Sequence, residues 1–452
     1  MPFEALKGED RARIHDGALR VLEEVGLQVT NRTMLERLRD LGFKTVDGGD
    51  RIRLPRATVE AALKKAPRSV RLGARGPGRA AVLDGTRVHT ATDGCGSKAI
   101  DLESGQKRPS ALADVAASAR LADALDQFDI YWMMISAQDV PRSARVPVEY
   151  LTALRNTGKH VQMIDMAKRE EAELLVRMAR ALTDAGVVEG PPVSALISVV
   201  SPLRLDPDGT EAALVFAEAG LPIVACSMPI ASVTSPATAA GNLLLAHAES
   251  MAFITILQSF SPGAPVIYCS FASYADARTG TTNYGDPRSA WTAAAAAQLG
   301  RSLEVPTFSS GGLLAMMTRP DIMSGGGLLE TSTVLSYEQM VIENENLRDC
   351  RLAASAAEVN PESLAVEIIR DVGPGGHYLT QKHTVRHMKE FAMSKFVDSG
   401  SDPAGETGGA RARALKEARR LLESHKVAPL PAELDAALER IAGETAPSVP
   451  RR

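Results

Sequence analysis

The stretch Pro222–Phe271, PIVACSMPIASVTSPATAAGNLLLAHAESMAFITILQSFSPGAPVIYCSF, contains a strand, a helix and a second strand in close succession. PIVACSM (222–228) and PVIYCSF (265–271) are continuous apolar runs rather than strict alternations. A strand buried on both faces reads that way, and such strands belong to parallel sheets. Between them, Ser235-Pro236 offers a capping side chain ahead of a proline at the first helical position. The helix it opens passes through GNLLLAHAESMAFITILQ and stops before Pro262-Gly263. His247 and Glu249 lie inside that apolar run, and a membrane span is expected to exclude both. The unit is therefore expected to be a βαβ crossover with a buried helix.

The same pattern recurs on either side. Strand-type runs appear at 129–136, 160–166, 194–200 and 305–310, with helices between them. Asp286-Pro287 opens another helix, which ends at Gly300. Repeated βα units predict a parallel sheet, and closure into a (β/α)₈ barrel suits a chain of 452 residues. An open doubly wound sheet is the alternative, but no strand-linked GxGxxG or GxxxxGK[ST] supports its nucleotide-binding versions. Residues 1–125 are expected to form a helical and mixed cap, 126–400 the barrel, and 401–452 a helical tail broken at Pro429 and Pro431.

Composition narrows the function. Apolar residues make up 45% and charged residues 23%, as in an ordinary globular chain. A net charge of −4 points to neither nucleic acid nor an anionic membrane as a partner. The four cysteines, Cys95, Cys226, Cys269 and Cys350, form no CxxC pair, which fits a reducing compartment. The first residues, MPFEALKGEDRARIHDG, contain no apolar h-region. A cytoplasmic protein is expected.

Candidate chemistry sits in loops after the strands, which form the active face of a barrel. In CSMPIASVTS (226–235), Cys226 is read as a small buried residue rather than a nucleophile, since no histidine lies near it in sequence. The loop YCSFASYADARTGTTNYGD (268–286) concentrates Tyr268, Phe271, Tyr274, Tyr284, Asp276 and Arg278 in a chain with only 4% aromatics. Rings and carboxylates together suit a bound cation. The alternative is that Tyr268 and Phe271 pack the barrel mouth and Asp276–Arg278 forms a solvated turn. In TDGCGSK (92–98), Asp93 and Cys95 occupy a glycine-rich turn that either lines a pocket or only turns the chain. His383 and His387 in GPGGHYLTQKHTVRH (373–387) are at i,i+4 spacing, but without HExxH they are read as structural, and no metal is assigned.

Laid out in order, the segments resemble the trimethylamine methyltransferase family, in particular its members without pyrrolysine. The resemblance is carried by IDLESGQKRPSALADVAASARLADAL (100–125), VVSPLRLD (199–206), MPIASVTSPATAAGNLLLAHAES (228–250), SPGAPVIYCSFASYADARTGTTNYGDPRSA (261–290), SYEQMVIENE (336–345) and VGPGGHYLTQKHTVRH (372–387). It implies a (β/α)₈ barrel that moves a methyl group from a quaternary amine, such as glycine betaine or a carnitine-like compound, or from a methylamine. The acceptor would be the Co(I) corrinoid of a partner protein, with no cofactor held tightly by this chain. A homo-oligomer is also expected. On that reading Asp93 and Glu330 are candidate catalytic residues, and Tyr268, Phe271, Tyr274, Arg278 and Phe308 candidate substrate contacts. No corrinoid-binding residue is assigned.

One stretch departs from the pattern. In SSGGLLAMMTRPDIMSGGGLLE (309–330) the run after Arg319-Pro320-Asp321 is short, where resembling sequences carry a further helix and strand. The expectation is a barrel lacking one βα unit near residues 311–330. A non-catalytic member that only binds a methylated amine or a corrinoid partner is the corresponding alternative. A barrel lyase or decarboxylase acting through its strand-end cysteines is a third reading.

Overall fold

A computed structural model describes residues 3–444, apart from 77, 165, 167, 277, 280, 356–357 and 389–408. Eight parallel strands close into a barrel. They are β1 (His89–Ala91), β2 (Ile130–Trp132), β3 (His160–Met163), β4 (Val193–Ser198), β5 (Ile223–Ser227), β6 (Val266–Ser270), β7 (Thr307–Ser309) and β8 (Ile322–Ser324). The helices that follow them are α1 (Leu112–Ala124), α2 (Arg142–Asn156), α3 (Arg169–Asp184), α4 (Pro207–Glu218), α5 (Ala239–Phe260), α6 (Pro287–Ser302), α7 (Leu313–Thr318) and α8 (Tyr337–Ala354). All six strands expected from apolar runs are present.

The opening unit shows why it reads as it does. β5 and β6 pair in parallel, with Ile223 opposite Val266, Ala225 opposite Tyr268 and Ser227 opposite Ser270. Val224, Cys226, Ile267 and Cys269 face the barrel interior, while Ile223, Ala225, Val266 and Tyr268 face the helices. Both faces are dry, so neither tolerates a run of polar residues. Helix α5 buries 16 of its 22 residues. It lies between the barrel wall and two N-terminal helices, Gly8–Glu24 and Arg56–Lys65, which accounts for its lack of a polar face. It starts at Ala239, three residues after the proline expected at its first position, Pro236. Thr238, not Ser235, caps it by accepting from the Gly241 N–H at 3.2 Å. Ser235 instead donates to Asn242 Oδ1 at 2.6 Å.

Two corrections concern the barrel's ends. The ring is complete, so the βα unit expected to be missing near residues 311–330 is present. Ile322–Ser324 is the eighth strand, and α7 is its short crossover helix. Residues 310–321 alone make the connection, at the lower limit of about 10–12 residues for a crossover with its helix. The strand leaves no pattern in the sequence because it is three residues long and merges with the glycines after it. Likewise His89–Ala91, inside the stretch read as cap, is the first barrel strand. A boundary at residue 126 therefore cuts through the barrel.

Asp321 clasps this seam. It is 3% exposed. Its carboxylate accepts from the Gly85 N–H at 2.7 Å and the Thr307 N–H at 2.9 Å. Its own N–H donates to the Thr307 carbonyl, and its carbonyl accepts from His89 N–H at 2.8 Å. One residue thus ties β7, β8 and β1 together. Below, the antiparallel pair Val70–Leu72 and Ala81–Leu83 packs against interior residues Ala91, Ile130, Val224 and Ile267 and plugs the N-terminal end. The C-terminal helices Gly409–Ser424 and Ala432–Gly443 pack on the outer helices.

Asp321→Ala leaves two backbone donors without their acceptor. With about 1.5–3 kcal/mol for each hydrogen bond to a charged group, discounted for partial relaxation, the substitution should lower unfolding free energy by about 2–4 kcal/mol. Urea denaturation measures this, and a loss below about 0.5 kcal/mol would show that the seam does not depend on Asp321.

Candidate active site

At the C-terminal ends of the strands a cavity of about 220 Å³ opens at the barrel mouth. Its floor follows from strand parity. In β2, Ile130 and Trp132 point inward and Tyr131 outward; in β6 and its extension, Ile267, Cys269 and Phe271 point inward. Phe308 is the inward residue of β7. Three rings therefore meet. Trp132 and Phe271 stack with centroids 6.0 Å apart and 29° between planes. Phe308 meets both edge-on, at 5.5 Å from Trp132 and 5.4 Å from Phe271. Gly94 is needed for this arrangement, since a Cβ there would lie 2.5 Å from the Trp132 ring.

The polar wall is Asp93, two residues past Ala91 and on the same inward parity. Its carboxylate accepts from the Ser332 hydroxyl at 2.5 Å and the Gly94 N–H at 2.9 Å. Burial in the mouth raises its pKa above the ordinary carboxylate value, and these two donors offset only part of that cost. Ser332 reaches it from the tip of a hairpin, Leu328–Leu329 with Val334–Leu335, that joins Lys98–Ile100 and Lys107–Pro109 in a small sheet over the mouth. Glu330, Thr331 and Ser332 at that tip all have left-handed backbones, with φ of 50°, 59° and 61°. Such a conformation costs about 1–2 kcal/mol for each non-glycine residue. The hydrogen bonds made by the tip hold it: Ser332 to Asp93, and Thr331 Oγ1 to the Thr282 carbonyl at 3.2 Å. Tyr284 and Met228 complete the rim, 42% and 40% exposed. No lysine, arginine or histidine among the described residues lines the cavity.

The structure brings together Asp93 and Phe271 on the cavity and Phe308 behind them. The other expected contacts lie elsewhere. Tyr268 has outward parity, and its hydroxyl meets His247 Nδ1 at 3.0 Å inside the helix layer. Tyr274 hydrogen-bonds Thr292 at 2.9 Å, and its ring is covered by the Arg288 guanidinium at 4.3 Å. Arg278 is 89% exposed and pairs with Asp276 in a turn. Glu330 lies outside the cavity, 2.8 Å from Lys107 Nζ. Trp132 is not among the residues expected from sequence, although the inward alternation through Ile130 and Trp132 carries the necessary information. Ser332 left no signal, because only the hairpin brings it to Asp93. Cys95 lines the mouth as its turn allowed. Cys226 and Cys269 are buried below as paired neighbours on β5 and β6. Burial and the adjacent Cys226 push the Cys269 thiol up, away from the thiolate a nucleophile requires.

The closed barrel carries a candidate site at its strand C-termini, lined by rings and one carboxylate among the described residues. The profile of the trimethylamine methyltransferase family matches residues 1–324 and 316–445, so the chain belongs to that family and is a methyltransferase. It is 31% identical over 463 residues to a glycine betaine methyltransferase of Desulfitobacterium hafniense (strain Y51), covering 97% of this chain and 96% of that one. It is 30% identical over 461 residues to a trimethylamine methyltransferase MttB of Desulfitobacterium hafniense (strain DSM 10664 / DCB-2), covering 97% and 93%. The crystal structure of the Methanosarcina barkeri monomethylamine methyltransferase superposes with a TM-score of 0.47 and 13% identity, covering 92% of this chain and 93% of that one.

Gly94→Ala should force the Trp132 indole from its place against Phe271 and Phe308. A changed near-ultraviolet circular dichroism spectrum with an unchanged far-ultraviolet spectrum is the expected result. An unaltered near-ultraviolet spectrum would show that the ring does not depend on Gly94.

Proposed function

We propose that this methyltransferase binds a quaternary ammonium compound of the betaine type and presents one of its N-methyl groups at the barrel mouth. The observation that carries the reading is the pairing of Trp132, Phe271 and Tyr284 with one carboxylate, Asp93, in a cavity whose described lining has no basic side chain. A quaternary nitrogen has no N–H to donate, so directional hydrogen bonds cannot hold it. Ring faces and a charge can, at about 0.5–2 kcal/mol for each well-placed ring. The identity to a glycine betaine methyltransferase supports the same substrate class.

The Co(I) of a corrinoid carried by a partner protein would supply the nucleophile that accepts the methyl group. The open mouth with Met228 and Tyr284 exposed on its rim fits an acceptor that arrives from outside. This chain's residues do the rest. The rings exclude water from the cation, and Asp93 opposes its charge. The leaving group is already a neutral amine, so Asp93 need not act as a proton donor. Orientation of one methyl toward the mouth and removal of water are the catalytic contributions. The absence of a disulfide among the four cysteines fits a cytoplasmic location, which Co(I) chemistry also favours.

Methyl transfer from glycine betaine to a Co(I) corrinoid protein, followed by corrinoid absorbance, tests the reading. No transfer from a panel of betaines and tetraalkylammonium ions would overturn it. Phe271→Leu should weaken betaine binding several-fold to about thirty-fold, measured by calorimetry. The pH response has a definite sign. Asp93 is charged only above its raised pKa, so wild-type affinity should fall on acidification at a pH above the ordinary carboxylate range. Asp93→Asn should bind weakly with no such dependence.

A further inference from the structure

Resting on that substrate reading, we propose that the short β7–β8 crossover leaves a side chamber through which the methylated ammonium reaches the cavity, leaving the mouth to the methyl acceptor. A second cavity of about 590 Å³ lies between the start of α7 and the helix α8. It shares Gly311, Ser324 and Gly325 with the site cavity, so one wall separates the two. At Gly311 that wall is a backbone contact. A Cβ on Gly311 would lie 2.5 Å from the Ser324 carbonyl oxygen and 3.4 Å from the Gly325 Cα. Gly311 therefore packs directly on the Ser324–Gly325 backbone. Gly312 and Gly325 beside the contact have φ of 112° and 154°, so their backbones are not locked by a Cβ. A six-residue α7 is too short to cover the space beside them.

The chamber has the charge for a cation. Glu343, half-buried on α8, lines it and accepts only from amides, Gln339 Nε2 at 2.6 Å and Asn346 Nδ2 at 3.5 Å. It has no basic partner among the described residues. Asp349 on the same helix also lines the chamber but is matched by Arg348 at 3.2 Å. Glu343 is close enough to Asp93 for its charge to oppose ionisation there. A cation moving from Glu343 to Asp93 would cross the wall formed by Gly311, Ser324 and Gly325. The other lining, Leu313, Leu347, Cys350 and Ala353, suits methyl groups.

The test separates a path from a site. Obstructing a path slows entry and exit equally and leaves the equilibrium unchanged. Ala353 is exposed on α8, so Ala353→Trp fills the chamber without touching the core. Glycine betaine and tetramethylammonium binding, followed by stopped-flow tryptophan fluorescence, gives both rate constants. Ala353→Trp should lower association and dissociation rates together by fivefold or more with Kd unchanged. Glu343→Gln should lower the association rate mainly at low salt and remove most of its salt dependence. Unchanged rates in a folded Ala353→Trp, or in Glu343→Gln, would overturn the side entrance while leaving the substrate reading intact. Failure of both probes to bind wild-type protein would overturn the substrate reading and the entrance with it.

Discussion

Everything in this molecule depends on closing a ring of very short strands. Four of the eight, β1, β2, β7 and β8, have only three residues each. A ladder that short has few hydrogen bonds with which to fix its register. At the seam between β7, β8 and β1 the deficit is met by Asp321, whose carboxylate and backbone together bond to Gly85, His89 and Thr307. Burial raises the pKa of the Asp321 carboxyl, and its two backbone donors offset only part of that cost. Once the ring closes, parity decides which side chains enter it. Trp132, Phe271, Phe308 and Asp93 become a site because closure brings the ends of β2, β6, β7 and β1 to one mouth.

The same closure explains the division of labour in the aromatic residues. Tyr268 and Phe271 are three positions apart and therefore face opposite ways. Tyr268 serves the helix layer through His247, and Phe271 serves the cavity. Above them the loops build two small sheets, one carrying Ser332 to Asp93 and the other, with Ser273–Ala275 and Thr282–Asn283, placing Tyr284 at the rim. The strained left-handed turn at 330–332 is tolerated because it joins these two rims. Among the described residues the recess between these rims is lined by rings and by one carboxylate, Asp93.

Much of the fold is legible in the chain. The runs at 222–228 and 265–271 declare buried parallel strands, and Asp286-Pro287 marks a helix start that holds, with Asp286 accepting from the Arg288 N–H at 2.8 Å. Less of the site is. Asp93 and Phe271 are legible because one sits in a glycine-rich turn and the other in a ring-rich loop. Arg278 and Tyr274 share that loop and point away, since a loop's composition says nothing about its direction. Glu330 follows a glycine triplet near the mouth, but its left-handed backbone turns it toward Lys107.

What the sequence determined by itself is the class of architecture and the family, because apolar periodicity and the order of many segments are local properties written along the chain. What only the tertiary structure decided is the completeness of the ring, the membership of β1 and β8, and the meeting of Trp132, Asp93 and Ser332. Strands of three residues have too few positions to show a period. Contacts such as Asp93 with Ser332, distant in the chain, are fixed by closure geometry, which no local pattern records.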